Sequence, residues 1–348
     1  MVKSPTMPDD TSDPTVSVIL PVRNGESQLE ACLDALLAQT YDSMEVIAID
    51  DGSTDATPAI LDKRMVEDSR LHVIHQTQAG VWAARLTGIS MAKGKWLSAC
   101  DADDIPHPEL ISKLLNSAES NNAQMAVCSY QRLDAHTGAL VAVESVPRTA
   151  TLKPDKDPVG FACINAALWN KLVHMDVVRS SLVVKGAAHQ DKPRLMEDMV
   201  LLASFVTHVE TVSFVHEPLY DYFVSPTSSM RTLTVEDAQT VARWLKIVRS
   251  GTEDRLKACL DVMAFLHLGV AALDNMARTT SRRQIHSYLR WVRGVMRRDF
   301  PRYTAPATST DGYIKKLRIA RRLFQVDLLL PAIRVLGVVN RLTHREVT

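Results

Sequence analysis

The stretch KGKWLSACDADDIPHPEL (93–110) sets an apolar run ahead of three acids in four positions, Asp101, Asp103 and Asp104. Carboxylates crowded within about 10 Å repel one another unless a cation or hydrogen-bond donors compensate them. Capping the helix that opens near Pro108 would use one acid and leave two. Hard divalent cations such as Mg²⁺ or Mn²⁺ take oxygen ligands, usually one or two carboxylates together with substrate phosphates. Asp101 and Asp103, separated by one residue, suit an ion held against a diphosphate.

Two further acidic clusters invite chemistry. In DDGSTDATP (50–58), a strand, a glycine turn and a capped helix account for Gly52, Ser53, Asp55, Thr57 and Pro58. They leave Asp50 and Asp51 unexplained, and a carboxylate there could accept the ring N–H of a uracil base. In MEDMVLLASF (196–205), Glu197 and Asp198 open a helix, where the dipole favours acids. The same position suits a general base that removes a proton from a sugar hydroxyl.

The elements that must carry these clusters alternate. VSVIL (16–20), EVIAID (45–50), LHVIH from 71, KWLSAC (95–100) and MAVCSY (125–130) read as strands. Helices are expected at 29–37, where Leu29, Cys32, Leu33, Leu36 and Leu37 share a face, at 57–68 with Thr57 as cap, at 80–92 and from Pro108. Strands that are continuous apolar runs imply a mostly parallel sheet covered by helices on both faces. Ligands bind such sheets outside the carboxyl ends of the strands, and Asp50–Asp51 and Asp101–Asp104 both fall at such ends. From 131 to 195 the pattern weakens into loops around a helix near 162–180. Residues 197–206 read as a helix, TVSFVHEPLYDY as a terminal strand, and everything beyond 235 as helical.

Composition bounds the rest. The chain has 348 residues, 46% of them hydrophobic and 23% charged, with net charge zero. Residues 1–230 hold 18 Lys and Arg against 30 Asp and Glu, leaving 22 against 10 for residues 231–348. An acidic front (−12) and a basic tail (+12) argue for two parts, the second meeting something anionic. The five cysteines form no CxxC pair and read as reduced, buried thiols. The polar opening MVKSPTMPDDTSDPT and the lack of an 18-residue apolar run predict a cytoplasmic protein.

Taken in order, SVILPVRNGESQLEACLDALLAQTYDSMEVIAIDDGSTD, QAGVWAARLTGISMAKGKWLSACDADD, MED and PLYDY resemble the family 2 glycosyltransferases of the GT-A fold, over roughly residues 15–230. The resemblance implies an α/β GT-A domain at 15–230, between a polar arm (1–14) and a basic, all-helical region (231–348). It implies that Pro21 and Asn24 shape the first nucleotide loop, that Asp51 with Asp50 beside it binds uracil, and that Arg85 lies near the nucleotide. It likewise makes Asp101 and Asp103 the metal motif, with Asp103 the more direct ligand, and Asp198 the catalytic base with Glu197 as its neighbour. The activity implied is inverting, metal-dependent transfer from a nucleotide sugar, a UDP-sugar first, with Mn²⁺ or Mg²⁺. The acceptor expected is a hydroxyl of a cell-surface glycan or polymer, or of a lipid-linked precursor. A catalytically silent sugar-nucleotide-binding or scaffold protein on the same fold is the alternative.

Two positions depart from the family pattern. PVRN places Arg23 where an aromatic is common, and Phe223 and Val224 stand where a basic residue often helps the diphosphate, leaving His216 or Arg231 to compensate. In the tail, Ile314, Leu317, Phe324 and Leu328 can share one helix face while Lys315, Lys316, Arg318 and Arg322 point elsewhere. That pattern fits helices packed on the catalytic domain, a cradle for an anionic glycan, or a peripheral contact of residues 312–348 with the inner face of the membrane. No nucleic-acid module is present.

Overall fold

The computed structural model describes residues 14–181, 183, 192–225, 232–305, 312–325 and 329–332. Strands and helices alternate through β1 (Val16–Val22), α1 (Leu29–Leu37), β2 (Met44–Asp51), α2 (Thr57–Glu67), β3 (Leu71–Gln76), α3 (Val81–Met91), β4 (Trp96–Ala99), β5 (Ile105–Pro106), α4 (Leu110–Ser120) and β6 (Met125–Asp134). There follow β7 (Leu140–Glu144), β8 (Thr151–Leu152), α5 (Pro158–Ala162), β9 (Lys171–His174), α6 (Met175–Ser180), α7 (Glu197–Val206) and β10 (Val212–Val224). The sheet order is β3-β2-β1-β4-β9-β6-β10-β5, with β7 on β6 and β8 on β10. Strands β1 to β4, β6 and β10 run one way, since β9 is antiparallel to both β4 and β6. Their carboxyl ends therefore share one edge.

The helix expected near 162–180 is instead α5, the strand β9 and α6. The reason lies in the period: Leu172 enters one core layer and Val173 the other, a two-residue alternation hidden inside a short apolar run. Where loop is expected, β7 forms a hairpin strand antiparallel to β6.

The same alternation sorts the central strands. Val16, Val18 and Leu20 pack with α1 and α4 on one face, while Ile19, Ile47 and Ile49 face α3 on the other. That second layer continues without a break into the C-terminal helices α8 (Val235–Ser250), α9 (Lys257–Ala264), a π-helical segment (Phe265–Ala271), α10 (Ala272–Thr279), α11 (Arg282–Asp299) and α12 (Gly312–Gln325). Leu245, Phe265, Met296 and Phe324 belong to the cluster that holds Ile19. The expected boundary at 230/231 lies outside the described residues.

Among the described residues one helix, 254–279, is long and apolar enough to cross a membrane by length and composition, and 67% of its apolar window is buried inside the molecule. Its Asp261 is fully buried and paired with Arg249 at 2.5 Å. In the expected amphipathic tail, Phe324 is buried and Arg318 and Arg322 are exposed. The side chains of Ile314, Lys315, Lys316 and Leu317, together with Leu328 and residues 333–348, lie outside the description.

Candidate active site

The first two βα loops clasp one another at the carboxyl edge. Pro21 is buried in β1 opposite Ile49. Asn24, in the left-handed region at φ 52°, donates its backbone N–H to Ser53 Oγ (2.9 Å) and accepts from the Thr54 N–H (2.9 Å). Thr57 does not cap its own helix. Its hydroxyl accepts the Gly25 N–H at 2.8 Å, so it serves the neighbouring loop. Arg23 is exposed.

Asp50 and Asp51 face different duties. Asp50 accepts from the Ser53 N–H (2.9 Å) and meets His75 Nδ1 (2.9 Å), while His75 Nε2 reaches Asp62 (3.1 Å). Burial pushes the Asp50 carboxyl up, but these hydrogen bonds outweigh it and hold it below its ordinary value. His75 is raised by its bonds to Asp50 and Asp62. Asp51 accepts from Gln76 Nε2 (2.7 Å) and from the backbone N–H groups of Ala79 (2.8 Å) and Gly80 (2.8 Å). Three donors fix its plane, and its Oδ2, with one of them, retains a lone pair for a ring N–H. Gly52 makes the approach possible: at φ +69°, an added Cβ would lie 2.8 Å from the Gln78 nitrogen.

Arg85 is the centre of the site. Helix α3 presses onto the sheet at Gly88, where a Cβ would stand 2.6 Å from Ile19. One turn earlier, the Arg85 guanidinium reaches Asp101 (2.9 Å), Glu197 (2.5 Å) and Asp198. Burial works against the charge, yet Asp198, Asp101 and Glu197 together raise Arg85 above its ordinary value. The metal motif and the candidate base thus meet on one cation.

The three acids of 101–104 divide their work. Asp104 is fully buried and structural, accepting from Tyr220 Oη (3.0 Å) and the Phe223 N–H (2.9 Å). Asp101 belongs to Arg85. Asp103 opens to solvent, and among the described residues no cationic side chain pairs with it. Partial dehydration by surrounding protein, then the charge of Asp101, raises its carboxyl. A carboxylate with spare charge beside a second carboxylate fits a hard divalent cation that takes its remaining ligands from a diphosphate and water. No group of three acidic, His or Cys ligands stands together among the described residues.

At the start of α7, Met196 adopts a left-handed conformation at φ 62°, costly for a long side chain, and turns Glu197 and Asp198 toward Arg85. Asp198 keeps 20% of its side chain open. Its Oδ1 meets Arg85 as an ion pair without hydrogen-bond alignment. Burial pushes the Asp198 carboxyl up to about 8; Arg85 opposes this, and Glu197 and Asp101 add to it.

Two features escaped sequence reasoning. Lys171 is fully buried and donates to the carbonyls of Asn165 (2.6 Å) and Ala167 (2.6 Å) and to Asn170 Oδ1 (2.8 Å). Burial pushes its ammonium down to about 7. A polar residue inside LWNKLVHM was the only signal. The second is a ring stack: Trp169 lies on Tyr220 (4.4 Å) and Tyr222 (5.4 Å), with Tyr130 edge-on (4.7 Å). Tyr130 lines a cavity of about 820 Å³ with Glu144, Arg148, Asn165 and, from the π-helical segment, His267. His216 is exposed on β10, and Arg231 lies outside the described residues.

Residues 17–175 match the family model described as Glycosyl transferase family 2. Over those residues the chain is similar to the family 2 glycosyltransferases. It is 28% identical over 285 residues to EpsH of Bacillus subtilis (strain 168), named as a glycosyltransferase, covering 78% of this chain and 80% of that one. The structure of Staphylococcus aureus TarS 1–349 in complex with UDP-GlcNAc superposes with a TM-score of 0.68 at 15% identity, over 90% of this chain and 88% of that one. The mannosyltransferase PcManGT of Pyrobaculum calidifontis, in complex with GDP-Man and Mn²⁺, gives 0.53 at 16% identity, over 99% and 92%. The protein shares the GT-A fold with these structures and is a glycosyltransferase.

Proposed function

We propose that this glycosyltransferase moves a sugar, with inversion, from a nucleotide sugar (a UDP-sugar first) to a hydroxyl of a cell-surface glycan or polymer, free or lipid-linked. The observation that carries the reading is the Arg85 hub, which gathers the metal-motif carboxylate Asp101 and the base Asp198 at one point. Donor diphosphate and acceptor hydroxyl must meet there for a single displacement.

In this reading Asp51 accepts the uracil ring N–H, and the clasp of Asn24 with Ser53 and Thr54 shapes the wall around the base. Asp103 and Asp101 would hold Mn²⁺ or Mg²⁺, which would supply positive charge to offset that of the diphosphate. Asp198 removes the acceptor proton as the hydroxyl oxygen attacks the anomeric carbon from the face opposite the diphosphate, whose bond to the sugar breaks with its electron pair. No covalent intermediate is needed. The acceptor enters by the cavity of Tyr130, Glu144, Arg148 and His267, whose volume lies in the usual range for ligand sites, about 300–1,000 Å³. Its Asn165 carbonyl accepts from Lys171, whose charge acts on the Asp198 carboxyl. The solved relatives bound to UDP-GlcNAc and to GDP-Man with Mn²⁺ support a nucleotide-sugar donor and a divalent ion. Five free cysteines, four of them buried, fit the reducing cytoplasm in which we place the enzyme.

The test is thermal stability of the full chain with UDP-, GDP- and dTDP-sugars, with and without Mn²⁺. A ligand at 100 times its Kd stabilises the native state by about 2.7 kcal/mol. The preferred donor should raise Tm only with the ion, and Asp103→Asn should abolish the ion's contribution. An equal shift in chelator would remove the metal from the scheme.

A further inference from the structure

The C-terminal region is basic, and the structure locates where its charge is spent. Along α11, Arg282, His286, Arg290, Arg293 and Arg297 fall at i, i+4, i+8, i+11 and i+15, with Arg283 one step aside. At 3.6 residues per turn these positions form one stripe about 22 Å long. The adjoining face is the packing face: Ile285, Tyr288, Leu289, Val292, Val295 and Met296 are buried. Arg282, Arg283, Arg290 and Arg297 are exposed, and none has a carboxylate partner among the described residues.

Such a stripe opposes helix stability, since like charges four residues apart repel. A capping box at Ser281 and Gln284 and the buried face hold the helix together despite it. Nor does the acidic half of the chain neutralise it. Among the described residues only Arg194–Asp237 and Arg255–Asp155 pair the two halves. The neighbouring helix extends the surface: Arg293 packs over the Phe324 ring (5.4 Å), and beyond that seam α12 shows exposed Arg318 and Arg322. Between these two stands Ile319, 59% exposed, the one large apolar side chain so open in the helical region among the described residues.

We propose that this face, centred on α11 rather than on the chain end, docks the protein on an anionic phospholipid bilayer. An outward helix ridge meets a plane better than it encloses a polymer. Arginine forks match headgroup phosphates, and an exposed isoleucine beside them suits the headgroup boundary. The docking is independent of the transferase reading, because it needs neither donor nor acceptor.

Cosedimentation of the full chain with phosphatidylcholine vesicles, with and without phosphatidylserine, tests it. The wild type should bind only the anionic vesicles and release in high salt. Each basic residue near such a surface contributes about fivefold, so the triple variant Arg283→Gln, Arg290→Gln, Arg297→Gln should bind about 100-fold more weakly. The corresponding triple lysine variant, which keeps the charge, should retain most of the binding. Since all three side chains are exposed, both variants should melt like the wild type. Equal binding by the glutamine variant, or equal binding to neutral vesicles, overturns the proposal. So does binding to soluble polyglutamate without binding to anionic vesicles, which would make the stripe a polymer site.

Discussion

In the role proposed for it, Asp198 accepts a proton while sharing Arg85 with two other carboxylates. Its raised carboxyl makes it a stronger base than a free aspartate, at the cost of being protonated over more of the neutral range. The ionised form is the active one. Turnover should therefore rise with pH through neutrality and level off above about 8. Asp198→Asn should lower turnover roughly 10²–10⁴-fold, abolish that rising limb, and leave donor affinity nearly unchanged. A limb that persists in this variant, or a larger loss in Glu197→Gln, would transfer the base role elsewhere. Asp51, Asp101, Asp103 and Asp198 stand out as candidates in the sequence because each cluster holds more acids than caps and turns require. The sharing of Arg85 was not, for it joins Asp101, 16 positions away, to Glu197, 112 positions away. Spacing along the chain carries no trace of such a contact. Asp104 looked like its neighbours in the sequence, and only the partners Tyr220 and Phe223 separate its structural role from theirs.

At the scale of elements, α3 determines where Arg85 can reach. Gly88 lets the helix lie against β1 and β2, and a methyl there would press on Ile19 at 2.6 Å and Ile49 at 2.7 Å. Gly88→Ala should cost about 1–3 kcal/mol in denaturant unfolding, typical of overpacking. It should also depress turnover more than donor binding, because the displaced guanidinium no longer holds Asp101 and Asp198 together. Full turnover in a destabilised variant would show that Arg85 is positioned by its ion pairs alone. The parallel strands and their helices were legible because long apolar runs and helical periods repeat. Four-residue β9 and the hairpin strand β7 were not, because too few residues display a period and their pairing partners are distant in sequence.

At the scale of the whole molecule, the basic tail and the acidic catalytic domain share a core, which charge counting had suggested were separate parts. Phe324 shows how far that integration reaches. It is buried, lies 5.2 Å from the ring of Phe265 and 6.1 Å from Tyr303, and supports Arg293 on its face. Phe265 opens the π-helical segment that brings His267 into the cavity assigned to the acceptor. Phe324→Ala should destabilise the protein by about 3–5 kcal/mol, the usual cost of removing a buried ring. If the helical region completes the acceptor site, the same variant, assayed well below its melting temperature, should raise the acceptor KM while the donor Kd holds. The loops at Asn24 and Gly52 lead into α1 and α2, whose buried residues pack in the other core layer. An unchanged acceptor KM would leave the C-terminal helices as packing for the sheet, with the cavity wall at 265–271 taking no part in acceptor binding.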